Sequence, residues 1–443
     1  MSKTKSTAHK FRKIVLAVLC TVAACTASAS AQATFRVVSY VNQLQQPVGI
    51  TEGSPGVFYS FGGLIQSVFS VTTQGSKTVL ASFPSGHNIL APLVSAANGR
   101  LYSAVTYMLN PVNAFSVGPS AGSKRLYSPQ HLGFLFTQNL PDGMLLGIAG
   151  TLSSTPTWYL AKCDLQGNVT TTYQFPAGET LPHTAIYGSD GNYYGVSVVL
   201  QNASGYVYRV TPSGSLTKLV SFPNNSFVGL GNYLPLLQAS DGNLYGVTPS
   251  GSAKQTATFY KLTLGGQYTL LHVFPAGANS DPTALLEGSD GNFYGSTLGV
   301  GSQLIRLTKS GEYTLLHTMV ENRDGQCACQ LTQGSDGIIY GSASGGGIYG
   351  AGDIFALNAA LPKPAPKAQY FHPSSGAVGT QVRIWGQNLL SASVEFNGVA
   401  AMAVSNSGPN YVWATVPAAA TTGPITVTTP GGTYTTEASF TVE

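Results

Sequence analysis

From residue 34 onward, short apolar runs alternate with clusters of Gly, Ser, Asp, Asn and Pro. One stretch shows the pattern in full. Residues 234–238 form an apolar run that leads into Ser240-Asp241-Gly242-Asn243. A second run covers 244–248, and a third, over 258–263, alternates apolar and polar positions. A Gly265-Gly266 turn follows, then a fourth run over 268–274. Asp-Gly is a hairpin signal, because glycine accepts positive φ and Asp can bond nearby backbone amides. The pattern predicts four short strands in one unit.

That unit recurs. Ser189-Asp190-Gly191-Asn192-Tyr193-Tyr194-Gly195 returns around Asp241, Gly242 and Tyr245, around Asp290, Gly291 and Tyr294, and around Asp336, Gly337 and Tyr340. Weaker copies surround Gly56, Gly99 and Gly143, where Pro55 stands for Asp and Leu146 for Tyr. The seven turn glycines are spaced 43, 44, 48, 51, 49 and 46 residues apart. Self-similarity at a period of about 47 residues marks a repeat architecture, and four strands per repeat describe a propeller blade.

The ends bear on closure. The last copy holds a third-type strand, Ile354-Phe355-Ala356-Leu357, and then stops at a proline-rich segment. Phe35-Arg36-Val37-Val38-Ser39-Tyr40 reads as a fourth-type strand without its first three. The two ends complete one blade, which removes open sheet edges. The expected fold is all-β: a seven-bladed β-propeller over 34–360, closed by the N-terminal strand.

Residues 1–31 are expected to be a signal peptide. Lys3, Lys5, Lys10, Arg12 and Lys13 precede an apolar stretch at 14–24, too short to span a bilayer, and Ala29-Ser30-Ala31 reads as a cleavage site. Val22-Ala23-Ala24-Cys25 offers the alternative of a lipoprotein anchored through Cys25. The chain is therefore expected to be exported, with no transmembrane segment in its mature form. Five of the 21 basic residues lie in this leader, leaving 16 against 17 acidic ones. A near-neutral chain gives no electrostatic footprint for nucleic acid, and none is expected as a partner. Charged residues are 9% of the chain, and Gly, Ser, Thr and aromatics take their place.

Copies four to seven resemble the GloVer tandem repeat of exported bacterial proteins, on Ser240-Asp241-Gly242-Asn243-Leu244-Tyr245-Gly246 with Phe259-Tyr260-Lys261-Leu262-Thr263 and Tyr268-Thr269-Leu270-Leu271-His272-Val273-Phe274, and on Gly352-Asp353-Ile354-Phe355-Ala356-Leu357. The resemblance implies export and a propeller-like fold, and carries no assigned activity. Residues 361–367 read as a semi-rigid proline-rich linker. Pro373-Ser374-Ser375-Gly376, Gly386-Gln387-Asn388-Leu389, Phe396-Asn397-Gly398 and Gly423-Pro424-Ile425 follow in order, and together resemble the immunoglobulin-like IPT/TIG domain over 368–443. That resemblance implies a β-sandwich serving as a spacer, a partner-binding module or an accessory to a catalytic domain.

The turn residues Asp190, Asp241, Asp290 and Asp336 are read as hairpin caps, and Tyr194, Tyr245, Tyr294 and Tyr340 as packing between blades, each followed by a small residue. His272 and His317 share a fourth-strand position that is Val220 or Tyr173 elsewhere, so a symmetric metal site is not expected. Cys163 is read as a small core residue, and no metal or cofactor is expected. The irregular loops lie opposite the Asp-Gly turns, where function usually sits. Glu179, His183, Asp281, Glu321, Asp324 and Asp353 are the polar residues placed there. The first functional expectation is a monomeric, non-catalytic binding or adhesion protein holding a glycan or protein ligand on this face. The alternatives are a carbohydrate-active hydrolase or lyase using Asp281 and Asp324, which needs two carboxylates about 5–10 Å apart, and a purely structural envelope protein.

Overall fold

The computed structural model describes residues 33–443 apart from 42–45, 63–66, 84–86, 90–92, 108–109, 119–122, 126–132, 152–156, 177–179, 200, 225–233, 251–255, 276–280 and 299–300. Among the described residues the protein is all-β, apart from one helical turn at Glu321–Asp324. Among the described residues seven antiparallel sheets lie within 34–358 and two more sheets within 367–442. The fifth sheet is typical: Leu236–Gln238, Leu244–Thr248, Thr258–Leu262 and Tyr268–Val273 pair in chain order. The strand read over 268–274 is thus one residue shorter at its end.

The repeated phrase builds two things at once. Its glycine takes a left-handed turn, with φ of 82° at Gly191 and Gly242, 77° at Gly291 and 93° at Gly337. Its Asp accepts on both oxygens. One oxygen takes the amide two residues on, as Asp241 does from Asn243 at 3.1 Å. The other takes the hydroxyl of the Tyr four residues on: Tyr194 donates to Asp190 at 2.7 Å, Tyr245 to Asp241 at 2.9 Å, Tyr294 to Asp290 at 3.0 Å and Tyr340 to Asp336 at 2.8 Å. Those rings are buried, and the polar tip that burial would orphan is satisfied within the turn.

Tyr and the following Gly face opposite ways. The Tyr reaches the next sheet: Tyr340 packs at a tilt on Phe58, ring centroids 4.0 Å apart, and Tyr245 on Phe293 at 4.4 Å. The Gly makes room inside its own sheet. Tyr208 lies opposite Gly195, Tyr260 opposite Gly246 and Phe355 opposite Gly341, and a Cβ on the glycine would enter each ring. The expected role of the Tyr-Gly pair therefore divides, with Tyr packing between sheets and Gly within one.

A further contact recurs at the turn end. The side chain four residues before the turn glycine accepts the amide of the phrase's serine in the preceding sheet. Gln238 takes Ser189 at 2.8 Å, Glu287 takes Ser240 at 2.7 Å and Gln333 takes Ser289 at 2.9 Å. Glu52 of the first sheet takes Ser335 of the seventh at 2.7 Å, by the same geometry. The first sheet packs on the seventh through Ile50, Phe58, Phe69, Tyr340 and Ile354. Thr34–Tyr40 is the outer strand of that seventh sheet, antiparallel to Asp353–Asn358.

The two C-terminal sheets enclose one apolar core of Val382, Ile384, Phe396, Val412, Ile425 and Phe440, among others. Gln381–Gln387 and Tyr411–Thr415 are paired, with Arg383 opposite Trp413 and Trp385 opposite Tyr411. Even positions face the core, so the odd ones face outward, and they meet the turns of the second and third sheets. Tyr411 Oη donates to the Leu140 carbonyl at 2.9 Å, Trp413 Nε1 to Ala97 at 3.2 Å and Arg383 Nη2 to Pro141 at 3.1 Å. Ala97 packs with Trp385 and Tyr411. These are two of the turns that depart from Ser-Asp-Gly. The proline-rich segment is pinned as well: Ser289 Oγ and Gln333 Nε2 donate to the Pro362 carbonyl at 2.6 and 3.2 Å.

Candidate functional site

In a sheet whose strands pair in chain order, both hairpin turns of the phrase end lie on one side and the remaining loops on the other. The turn end carries the serine latches and, at the second and third sheets, the C-terminal module. The loop end is where the candidate residues belong, and the fold treats them very differently.

Glu179 lies outside the described residues. His183 is half-buried beside the split first strand of the fourth sheet, and burial lowers its pKa to about 4, so the ring is neutral. Asp281 accepts the Ser250 amide at 2.6 Å, which ties the sixth sheet to a loop of the fifth. Among the described residues neither is hydrogen-bonded to the remaining candidates, Glu321, Asp324 and Asp353.

Those three converge at the seventh sheet. Glu321 and Asp324 open and close the single helical turn that leads into strand Gln326–Gln333, and Asp353 begins strand Asp353–Asn358. The glycine-rich segment 345–352 wraps over them, with φ of 69°, 73°, 70° and 86° at Gly346, Gly347, Gly350 and Gly352. The Gly347 amide donates to the Glu321 carbonyl at 2.6 Å.

Asp324 is 2% exposed and rich in donors. Arg323 reaches its two oxygens at 2.6 and 2.8 Å, His317 Nε2 lies at 3.0 Å and the Val320 amide at 3.1 Å. Burial alone would raise its pKa, but these donors outweigh burial and hold it below the ordinary carboxylate range. His317 also stacks on Phe35 of the outer strand at 4.1 Å. Asp353 is the opposite case. It is 0% exposed, and neither carboxyl oxygen has a donor among the described residues. Burial first, and the charge of Asp324 second, push its pKa up to about 8.

Of the pair expected for hydrolysis, Asp281 is bonded to the Ser250 amide and Asp324 to Arg323, His317 and the Val320 amide. Cys163 is 1% exposed among apolar neighbours, and burial pushes its thiol up to about 12, as befits a core residue. Sequence reasoning missed Glu52, Gln238, Glu287 and Gln333. Their signal was present, since a Glu or Gln stands four residues before Gly56, Gly242, Gly291 and Gly337.

Residues 231–381 match the family model of the Gloeobacter/Verrucomicrobia repeat. Over that stretch the chain is similar to this repeat. No curated protein matches the sequence. Among solved structures, a streptogramin B lyase is 18% identical with a TM-score of 0.56, covering 74% of this chain and 99% of its own. Virginiamycin B lyase from Staphylococcus aureus, a catalytically inactive variant with quinupristin, is 16% identical with a TM-score of 0.54 and the same coverage. At such identities the likeness is one of fold: sheets arranged in a propeller-like way.

Proposed function

We propose that this is an exported, non-catalytic binding protein. It is a closed seven-bladed propeller with an immunoglobulin-like domain fixed to its turn face, and it takes a glycan or protein ligand on the opposite, loop face. The ring reading rests on Thr34–Tyr40 completing the last sheet and on Glu52 latching the first sheet to the seventh. The observation that carries the function is how the loop-face acids are used. Asp281 and Asp324 are consumed by internal donors, while Ile348 and Tyr349 of the glycine segment are 58% and 55% exposed. An exposed aromatic beside polar backbone suits stacking on a sugar ring. The solved lyases do not bring their activity to this chain, because fold does not carry function.

A glycan and polysaccharide binding screen with the protein lacking residues 1–31 tests the reading. Binding that weakens at least tenfold in Tyr349→Ala, with no product formed from any bound polymer, supports it. Turnover of any polysaccharide refutes it and moves the protein to the hydrolase or lyase class.

A further inference from the structure

We propose that the seam where the two ends of the repeat meet carries a proton-operated latch: Asp353 keeps the glycine segment 345–352 closed while it holds its proton, and the segment opens when the carboxyl group ionises. The inference is independent of what the loop face binds. It starts from enclosure. Asp353 is 0% exposed, and neither carboxyl oxygen has a donor among the described residues. Its Oδ2 lies against glycines of two different segments: a Cβ on Gly325 would stand 3.0 Å from it, and one on Gly347 3.3 Å. A carboxylate there would have neither water nor a donor, so the neutral acid is the form that fits. Ionisation therefore requires one wall to move. The strand of Asp353 is laddered on both sides, opposite Tyr40 and Ala343. The helical turn is fastened through Asp324 to Arg323, His317 and the Val320 amide. The glycine segment is the loosest wall. It leans on the Glu321 carbonyl through the Gly347 amide, closes on itself from Gly352 to Gly346, and leaves its tip, Ile348 and Tyr349, 58% and 55% exposed. Few buried contacts and exposed backbone bonds mark the part of a fold that opens first.

The groups around Asp353 favour the proton. Tyr40 is its partner on the outer strand, and Tyr349 of the glycine segment meets the Tyr40 ring edge-on at 6.3 Å. Ala343 on the other side, and Pro47 beside Gly352, carry no charge. On the helical turn Glu321 opens the first turn and Asp324 directly precedes Gly325; Asp324 keeps Arg323 and His317 for itself. Burial first, and the charge of Asp324 second, thus hold the Asp353 pKa up to about 8. Once the segment opens, the carboxyl group returns to water and to an ordinary pKa of about 3.9. Between those two values opening releases a proton. The open population therefore grows about tenfold for each pH unit, and levels off above the folded pKa. The Val41 amide, which donates to the Gly352 carbonyl, links the same opening to the end of the N-terminal strand.

The test is hydrogen exchange of the full chain from about pH 5.5 to about pH 7.5, with each rate divided by the intrinsic rate at that pH. In peptides covering 345–353 the corrected rate should rise about 100-fold over those two pH units. Peptides covering 244–248, in the fifth sheet, should show no such rise, and this comparison needs no variant. In D353N, which cannot ionise, the rise should vanish while the fifth-sheet peptides stay as they were. His317→Gln should keep the rise, because His317 bonds Asp324 rather than Asp353. A rise in 345–353 no steeper than in 244–248, a rise that survives in D353N, or one that is lost in H317Q would each overturn the proposal.

Discussion

Glu52→Ala breaks the serine latch that spans the chain, where the others described join successive sheets. The Glu52 carboxylate accepts three donors: the Ser335 amide at 2.7 Å, the Ser335 hydroxyl at 2.9 Å and the Gly56 amide at 2.8 Å. It is 6% exposed, so water does not replace the lost acceptor in place. Leaving two amides unpaired costs about 1–3 kcal/mol each, offset in part by removing a buried charge, for a net loss of about 2–4 kcal/mol. Glu52→Gln should differ. Gln238, at the same position of the fifth sheet, accepts the Ser189 amide at 2.8 Å and donates to Ser189 Oγ and the Gly242 carbonyl, both at 2.9 Å. A glutamine at 52 can repeat the contacts to Ser335 but takes the acceptor from the Gly56 amide, so its cost stays at about 1–3 kcal/mol, below that of E52A. The sign with pH follows from burial, which raises the Glu52 pKa above its ordinary value despite the three donors. The folded state then holds the proton more tightly than the unfolded chain. The contribution is full at acid pH and is lost as pH rises through the folded pKa. Urea unfolding of the parent, E52A and E52Q from about pH 4 to about pH 8 measures all three effects. The parent should lose stability relative to E52Q as pH rises. Equal midpoints for E52A and the parent, or an E52Q as weak as E52A, would refute the latch.

Three other outcomes follow from the packing. Trp385→Ala and Tyr411→Phe should loosen the C-terminal module, the second by about 1 kcal/mol, and expose residues 361–367 to limited proteolysis that the parent resists; an equally resistant variant would mean the contacts at Ala97 and Leu140 do not hold the module. Gly195→Ala should cost about 1–3 kcal/mol or more, because its Cβ would run into the Thr184 carbonyl and the Tyr208 ring, as read from the shift in urea midpoint. His183 is held neutral down to about pH 4, so stability present at neutral pH should fall by about 2–3 kcal/mol between about pH 6.5 and about pH 4, and His183→Gln should flatten that slope.

The local grammar of the repeat was legible because its physics is local. A glycine at positive φ and an Asp that caps its own turn are properties of five successive residues, so Asp241, Gly242 and Tyr245 announce a hairpin wherever they stand. Alternation along Val382-Arg383-Ile384-Trp385 likewise puts the first and third on one face and the second and fourth on the other. It did not say what would cover each face. That Trp385 meets Ala97, and that Tyr411 reaches Leu140 across 271 positions, depends on which sheet lies beneath. The same holds for the acids. Asp281, Asp324 and Asp353 look alike in sequence, each an Asp in an irregular loop. Folding gives the first the Ser250 amide and the second a cluster of donors, and leaves the third sealed without a donor among the described residues. Sequence by itself determined the strands, the turns and the period, which need only neighbours along the chain. The tertiary structure decided which polar groups are spent and which remain, because hydrogen-bond satisfaction and burial depend on how segments pack, from His317 seven positions before Asp324 to Tyr411 and Leu140, 271 apart.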